Sequence, residues 1–436
     1  MKLDVWLEGK MTPVGTLERL TDKTLRFTYS ADATLPISAS MTVRQESYGD
    51  AACVAYFGNL LFEGQALEHV VAAHGLDRDD IGSLLYHLGT DCAGAISITP
   101  EGTGPGKYPG RFPHDYEEID HNRMRTIITS LHRHGRLPDG ERDPSPVAGI
   151  QPKLAVVYHD KKFYQPKVGS KAPTTHILKV SPRSDLAIAK YEAALLGFAA
   201  TIDIVSAETQ FLEFIGDDGE EIGAVLSTRF DRRVDDSCIY RLHCEDFCQA
   251  LGLSKVLKYE RNAQRDDLRF SAKAIGRIAS QTAVPANFQI DFFKQTLFNL
   301  AVGNTDNHAK NGTILYRGNY GVLAPLYDVV PITINPHFTH QLAFKIGDAE
   351  WTEDVTVDNI EKFMGNIGFG RKKFEKRWVD FLSHIANEGV PYFAAQGGKP
   401  LADGIAAQLT VLQEALKLNL DIPGRDYFPR PIRDQE

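Results

Sequence analysis

Hydrophobic periodicity constrains the fold of this chain more than any other feature of its sequence. A strand-like alternation of apolar and polar residues is frequent in residues 3–58 and again in 147–230. From about residue 243 onward, the apolar residues recur mostly at helical spacing. The sequence therefore predicts an α+β protein with a bilobal layout, in which a β-rich part precedes a helical part. The cleft between two such lobes is the default place for a ligand.

Shorter segments depart from these two patterns. Two segments rich in Pro and Gly predict loops or domain boundaries, at 100–116 and 135–146. Helical spacing of the apolar residues predicts helices at 65–74, 78–88 and about 185–200. A β-like pattern is expected at 312–346.

Composition excludes several classes of protein. With 436 residues the chain is too long for one ordinary core, so two or three domains are expected. The formal net charge of -9 argues against a dedicated nucleic-acid binder, which usually carries a basic surface. The five cysteines show no CxxC spacing, which indicates neither a disulfide framework nor a zinc ribbon and favours a reducing, cytoplasmic compartment. The sequence predicts no signal peptide and no membrane span.

The segment 303–311 is the densest polar cluster and follows an apolar helix. Asp306 and Asn311 lie five residues apart, the offset between the base Asp and the metal-binding Asn of a kinase catalytic loop. Asp328 ends an apolar stretch, predicted to be a strand, 17 residues after Asn311, so it is a candidate second metal ligand. A polar helix-capping loop and an Asp that starts a turn are the simpler alternatives.

Two lysines in strand-like segments are candidates for phosphate contacts. Lys179 interrupts an apolar strand, where an unpaired ammonium would be costly to bury, and Glu192 on the next helix is a candidate partner. Solvent exposure of the Lys179 tip is the alternative. Lys153 follows a segment, 147–152, whose single Gly fits a plain hairpin turn as well as a phosphate loop.

The segment Thr228–Phe230 is a candidate link between lobes. Its backbone could contact an adenine edge, with Phe230 beside the ring. The charged residues around it are otherwise expected to form a solvated connector.

Taken in order, these segments resemble the HipA-type serine/threonine kinases, the toxin halves of bacterial toxin–antitoxin modules. The resemblance spans nearly the whole chain, and several motifs in the right order are more specific than any one of them. The matching segments are Gly58–Leu61, Leu88–Ala95, Ala148–Lys153, His176–Lys179, Glu245–Leu253, Lys258–Glu260, Thr305–Asn311 and Leu326–Val329.

The resemblance implies a kinase-like bilobal fold with an extra N-terminal β-rich subdomain. The expected domains are an N-terminal subdomain at 1–110, a kinase N-lobe at 111–235 and a helical C-lobe at 236–436. It also implies ATP and Mg2+ as cofactors, and partners of three kinds. These are a protein substrate such as an aminoacyl-tRNA synthetase, a small helix-turn-helix antitoxin (HipB-like), and DNA reached mainly through that antitoxin.

Residue roles also follow from the resemblance. Asp306 would be the catalytic base, and Asn311 and Asp328 the Mg2+ ligands. The residues implied in ATP binding are Ala148, Gly149, Ile150, Gln151, Pro152, Lys153, Lys179, Thr228, Phe230, His308, Lys310 and Tyr327.

Two positions depart from the family pattern. The serine whose autophosphorylation inactivates many family members is replaced by Pro146, so the site is either shifted to Ser145 or absent. A hinge residue that is often Glu is Thr228 here. A catalytically weak or inactive nucleotide-binding co-repressor is therefore the alternative hypothesis. A small-molecule kinase on a related fold is a third.

Overall fold

The computed structural model describes residues 1–61, 65–141, 151–318 and 320–424. The chain forms two compact units. The first comprises Met1–Ala189, Gln210–Lys255 and Ile314–Asn319, and the second comprises Lys190–Thr209, Val256–Thr313 and Tyr320–Glu436. Within the described part of the chain, no helix combines the length and the apolar character that crossing a bilayer requires. All five cysteines lie in that part, and no disulfide joins any two of them.

The N-terminal region of the first unit is an antiparallel sheet with helices packed against it. Its strand order is β3-β2-β1-β4, and alternate residues such as Leu3, Val5, Leu17 and Phe27 form a continuous apolar core. The elements are β1 Lys2–Leu7, β2 Gly15–Arg19, β3 Leu25–Tyr29, α1 Asp50–Phe57, α2 Gln65–His74, α3 Ile81–Leu88 and β4 Ile96–Pro100.

The two predicted helices at 65–74 and 78–88 are confirmed by α2 and α3. The expectation of strand-like structure over residues 3–58 is wrong for α1, Asp50–Phe57. This segment contains three alanines among eight residues, and alanine has the highest helix propensity.

A second sheet forms the centre of the first unit. The strands that follow β4 belong to this sheet and to two smaller ones. In chain order they are β5 Gly110–Arg111, β6 Tyr116–Ile119, β7 Lys153–His159, β8 Lys162–Pro166, β9 His176–Val180, β10 Thr209–Ile215, β11 Glu221–Thr228, β12 Arg232–Asp235, β13 Cys238–Arg241, β14 Cys244–Asp246 and β15 Thr313–Arg317. Strands β6 to β11 pair in the order β10-β11-β9-β7-β8-β6. The helix α4 His121–His134 contacts β9 and β11.

The apolar core between α4 and this sheet uses every second strand residue. Leu154 and Val156 of β7 and Leu178 and Val180 of β9 belong to that core. Because successive side chains of a strand point to opposite faces, Lys153 and Lys179 lie on the face away from α4.

The second unit is mainly helical. Its longest helices begin with proline in the first turn, where the missing N–H would have no partner anyway. Ring contacts between Phe293, Phe363 and Trp378 join helices of this unit into one core. The helix α6 Phe247–Leu251 belongs to the first unit. The remaining elements are α5 Ile188–Thr201, α7 Ala272–Ser280, α8 Pro285–Val302, β16 Tyr320–Leu323, α9 Val357–Asn366, α10 Lys376–His384, α11 Val390–Gln396 and α12 Lys399–Leu416.

The helix expected near 185–200 is confirmed by α5, but the predicted β-like section at 312–346 is only partly correct. Strands β15 and β16 end by Leu323, and the segment beyond it contains a short 3-10 turn at Ile332–Ile334. Pro325 and Pro331 remove backbone donors from that segment, so a ladder of strand hydrogen bonds does not continue there.

Candidate active site

The polar segment begins at a sharp helix end. Gly303 follows α8 with a positive φ of 72°, and its N–H donates to the carbonyl of Asn299. A Cβ at position 303 would lie 2.0 Å from Thr333 Oγ1, so both the backbone angle and the space require glycine. Asn304 caps the same helix, since its backbone N and its Nδ2 donate to the carbonyl and side-chain oxygens of Asn299. The capping interpretation therefore holds for Asn304.

The residues after this cap form a tight loop that folds on itself. The Asp306 carbonyl accepts from His308 N at 2.8 Å and from Asn311 Nδ2 at 2.9 Å, and Asn311 N donates to His308 O at 2.8 Å. The two residues that lie five positions apart in the sequence are thus joined by a hydrogen bond from the Asn311 side chain to the Asp306 carbonyl. Because the Asn311 amide nitrogen is committed to this bond, its side-chain oxygen is the atom left to act as a ligand.

The Asp306 carboxylate is held by a residue to which the sequence assigned no role. Tyr259 OH donates to Asp306 Oδ1 at 2.5 Å, although 47 positions separate the two residues. Tyr259 belongs to the Lys258–Glu260 segment that matched the family. Nothing in its local pattern indicated this partner, because a contact across 47 residues has no periodic signal.

His308 is buried beside two carboxylates. Burial lowers the pKa of His308, and the charge of Lys258 lowers it further, while Asp306 and Asp328 raise it. The Nδ1 atom of His308 is buried and has no hydrogen-bond partner among the residues that the structure describes. His308 is therefore a neutral imidazole near pH 7, able to offer or accept one hydrogen bond but carrying no positive charge.

Asp328 lies in an unusual backbone conformation. Its φ is +57°, in the left-handed region that residues other than glycine adopt rarely. The residue before it, Tyr327, is fixed by two hydrogen bonds of its hydroxyl, to Lys310 O at 2.9 Å and to Thr313 Oγ1 at 2.8 Å.

The stretch before Asp328 is not the strand that the sequence predicted. Leu326 makes a single parallel bridge to Ser206, with hydrogen bonds to the backbone of Val205 and Ala207. Pro325 cannot donate a hydrogen bond, which prevents a longer ladder. The short bridge nevertheless fixes the backbone two residues before Asp328.

The chemistry of the donor set fits Mg2+. Asn311 offers an amide oxygen, Asp328 offers a carboxylate, and Mg2+ is commonly bound by one or two such side chains together with substrate phosphates and waters. Across the described ranges, no group of three or more His, Cys, Asp and Glu is placed to hold a metal ion.

Lys179 and Lys153 lie side by side in the first unit. They are direct partners on the antiparallel strands β9 and β7, and on one face of a sheet such partners are neighbours. Lys179 is buried, with 8% of its surface exposed, so it is not the solvent-exposed lysine of the alternative interpretation. Glu192 on α5 is also buried, at 1%. The pairing of Glu192 with Lys179 stays a prediction.

Part of the predicted phosphate loop lies outside the described residues. This applies to Ala148, Gly149 and Ile150, and also to Ser145 and Pro146. Gln151 and Pro152 are half-buried and lead into β7, where the Pro152 carbonyl accepts from Val180 N at 2.9 Å.

The predicted hinge Thr228–Phe230 lies at the end of β11. Thr228 is the partner of His176 on β9, and the Arg229 N–H donates to the carbonyl of Thr175 at 2.9 Å. Thr228 and Phe230 are half-buried.

The expectation of a solvated connector around this hinge is wrong. Arg229, Asp231 and Arg232 are each at most 8% exposed. The Asp231 carboxylate accepts two hydrogen bonds from Arg229, at 3.0 and 2.9 Å, and one from Arg232 at 2.7 Å. The charges pair with one another instead of with water, which the sequence pattern does not reveal.

Comparison with known proteins places this chain in a family. Residues 3–99 match the family description of the HipA N-terminal domain, and residues 145–388 match that of the HipA-like C-terminal domain. A Sinorhizobium fredii protein provisionally named kinase Y4mE is 30% identical over 88% of this chain and 90% of its own length. The serine/threonine-protein kinase toxin HipA of Shewanella oneidensis is 29% identical over 78% of this chain and 75% of its own length.

A solved structure agrees in fold. The HipA chain of the Shewanella oneidensis toxin–antitoxin complex of HipA, HipB and operator DNA matches with a TM-score of 0.75. The match is 24% identical and covers 95% of this chain and 97% of that one. The α+β class and the sequence resemblance are both confirmed.

Proposed function

This chain belongs to the HipA family, and on that premise we propose that it is a Mg-ATP-dependent serine/threonine protein kinase acting as the toxin of a toxin–antitoxin system. The observation that carries the proposal is the loop in which Asp306, His308 and Asn311 are hydrogen-bonded to one another. The charge of Asp328 also reaches this loop, where it raises the pKa of His308. Phosphoryl transfer needs an oriented acceptor hydroxyl and compensation of phosphate charge, and these side chains provide the groups for both.

Each side chain of the loop has a proposed role. Asp306 accepts the hydrogen bond of the substrate hydroxyl and takes its proton as the bond to the γ-phosphorus forms, while the bond from that phosphorus to the bridging oxygen breaks and ADP leaves with the electron pair. Asn311 and Asp328 would hold Mg2+, which supplies positive charge to the phosphate oxygens when bound. His308, being neutral, would donate a hydrogen bond to a phosphate oxygen.

The remaining residues of the proposed ATP site act by charge and contact. Lys153 and Lys179 provide two adjacent cations for phosphate. Lys310 would add a third, and Tyr327 fixes the Lys310 backbone through its hydroxyl. The segment 148–152 would cover the phosphates, and Thr228 and Phe230 would contact adenine, Thr228 through its backbone.

Partners are proposed from the same premise. The Shewanella oneidensis structure contains HipA with HipB and operator DNA, so we expect a small helix-turn-helix antitoxin to bind this chain as well. The net charge of -9 suggests that DNA is reached mainly through that antitoxin. A translation-related protein such as an aminoacyl-tRNA synthetase is the proposed substrate class, and the cytoplasm is the proposed compartment.

Transfer of label from ATP tests the function. The purified chain is incubated with Mg2+ and γ-labelled ATP, with dephosphorylated casein or cell extract, and every phosphorylated residue is mapped by mass spectrometry. We expect label on a serine or threonine, and a loss of about 100- to 10,000-fold in Asp306→Asn, because a positioned base contributes that much. Asp348→Asn, which removes a surface partner of Lys362, is the matched control and should transfer normally.

A second function is favoured by one observation, the Pro146 that replaces the family's regulatory serine. A nucleotide-binding co-repressor would bind ATP, measured by fluorescence of a labelled analogue, and transfer no phosphate to any acceptor.

Normal transfer by the Asp306→Asn variant would contradict the assignment of the base. Label on Ser145 would show that self-phosphorylation persists at a shifted site.

A further inference from the structure

The Lys258–Glu260 segment matched the family but has no role in the function proposed above. In the second unit it lies directly against the catalytic loop. The Lys258 carbonyl accepts from Ala309 N at 3.0 Å, and the next residue, Tyr259, bonds to Asp306. On its other side, Glu260 is buried and binds the backbone of Ala343 and Lys345. The segment therefore contacts the catalytic loop on one side and residues 343–345 of the same unit on the other.

Tyr259 is the part of this segment that reaches a functional atom. Its hydroxyl lies 2.5 Å from Asp306 Oδ1, and its ring meets the ring of His308 edge to face at 5.1 Å. The Arg261 guanidinium covers the Tyr259 ring at 4.1 Å, and Arg261 also donates to the carbonyl of Leu342. The ring thus contacts both a cation and an imidazole, and these contacts restrict the direction in which the hydroxyl points.

We propose that Tyr259 is a positioning residue for Asp306. A carboxylate on a loop can rotate about its side-chain bonds, and a hydroxyl bound to Oδ1 fixes that rotation. Oδ2 is then the oxygen presented to the acceptor hydroxyl. The inference rests on the proposed kinase function, since it assigns Tyr259 to the orientation of the same base.

The position of the base matters because phosphoryl transfer depends mainly on geometry. A misplacement of about 1 Å in an active site can cost about 100-fold in rate. Loss of the Tyr259 hydroxyl should therefore lower kcat by about 10- to 100-fold. The KM for ATP should change by less than about threefold, because uniform binding of ATP is not affected.

Three variants separate this role from a structural one. Tyr259→Phe removes the hydroxyl and keeps the ring contacts with His308 and Arg261, whereas Tyr259→Leu removes both. Tyr316→Phe is the matched control, because Tyr316 OH also donates to a carboxylate, that of Glu245, in the other compact unit. Thermal unfolding and nucleotide binding are measured for each.

The assay is transfer of phosphate from γ-labelled ATP to dephosphorylated casein. The proposal expects the same fall in kcat for Tyr259→Phe and Tyr259→Leu, with normal kcat for Tyr316→Phe. A Tyr259→Phe protein with wild-type kcat, or one whose KM for ATP rises while kcat stays constant, would overturn it. If the wild-type chain transfers no phosphate to casein or to any extract protein, the proposed function itself fails, and this inference fails with it.

Discussion

Glu245 should make the stability of the first unit fall as pH rises. Its carboxylate is 1% exposed and accepts hydrogen bonds from Ser38 Oγ at 2.5 Å, from Ala39 N at 2.8 Å and from the hydroxyl of Tyr316. Burial outweighs these three donors and, with the nearby charge of Asp246, raises the pKa of Glu245 from 4.5 to about 7. An ionised carboxylate at this position therefore costs stability.

The size and sign of the effect follow from linkage. Below pH 4.5 the carboxyl is protonated in both the native and the unfolded chain. Between pH 4.5 and about 7 only the unfolded chain releases the proton, so the free energy of unfolding falls as pH rises. At 1.36 kcal/mol per pH unit, the loss amounts to about 3 kcal/mol and is complete above about pH 7. The Glu245→Gln variant lacks this loss, because glutamine does not ionise.

The measurement is the difference in unfolding free energy between Glu245→Gln and the parent, from urea melts at pH 5 to 8.5. Trp6 is the one tryptophan of the first unit, so a background with Trp351→Phe and Trp378→Phe lets fluorescence follow that unit alone. Burial lowers the pKa of His243 to about 4, which adds a term of opposite sign below pH 6.5. Glu245 is not among the causes of that shift, so the term is present in both proteins.

The expected result is a difference that moves in favour of Glu245→Gln by about 2.5 kcal/mol between pH 5 and 7.5 and then stays nearly constant. Glu101→Gln, at an exposed glutamate, should show no such trend. A difference that is independent of pH would refute the reasoning, because it would mean that Glu245 ionises in the native chain as it does in the unfolded one.

Two further predictions concern the architecture of the site and of the hinge. Gly303→Ala should lower the melting temperature and kinase activity more than Gly9→Ala does, because both positions have positive φ but only position 303 lacks space for a Cβ. Equal effects in differential scanning calorimetry would show that the backbone angle alone matters. Asp231→Asn should destabilise the first unit by about 3–5 kcal/mol, since it leaves Arg229 and Arg232 buried without their carboxylate. If urea melts show that the free energy of unfolding falls by less than about 1 kcal/mol, the ion pairs of Asp231 with Arg229 and Arg232 are solvated.

Local sequence was sufficient for several helices and for the position of the polar loop after α8. The helices α2, α3 and α5 follow from apolar spacing. The sequence also showed the five-residue separation of Asp306 and Asn311, and the structure added the hydrogen bond between them. The helices depend on residues close together in the chain, so apolar periodicity is enough to predict them.

Long-range contacts decided what the sequence could not. Tyr259 reaches Asp306 across 47 residues, and Glu245 meets Ser38 across 207. The sequence pattern predicted an exposed connector at Arg229 and Asp231, whereas the folded chain buries both residues as an ion pair. The physical reason is that the position of a carboxylate and the pKa of Glu245 depend on neighbours brought together by tertiary packing, and no local pattern records which neighbours those are.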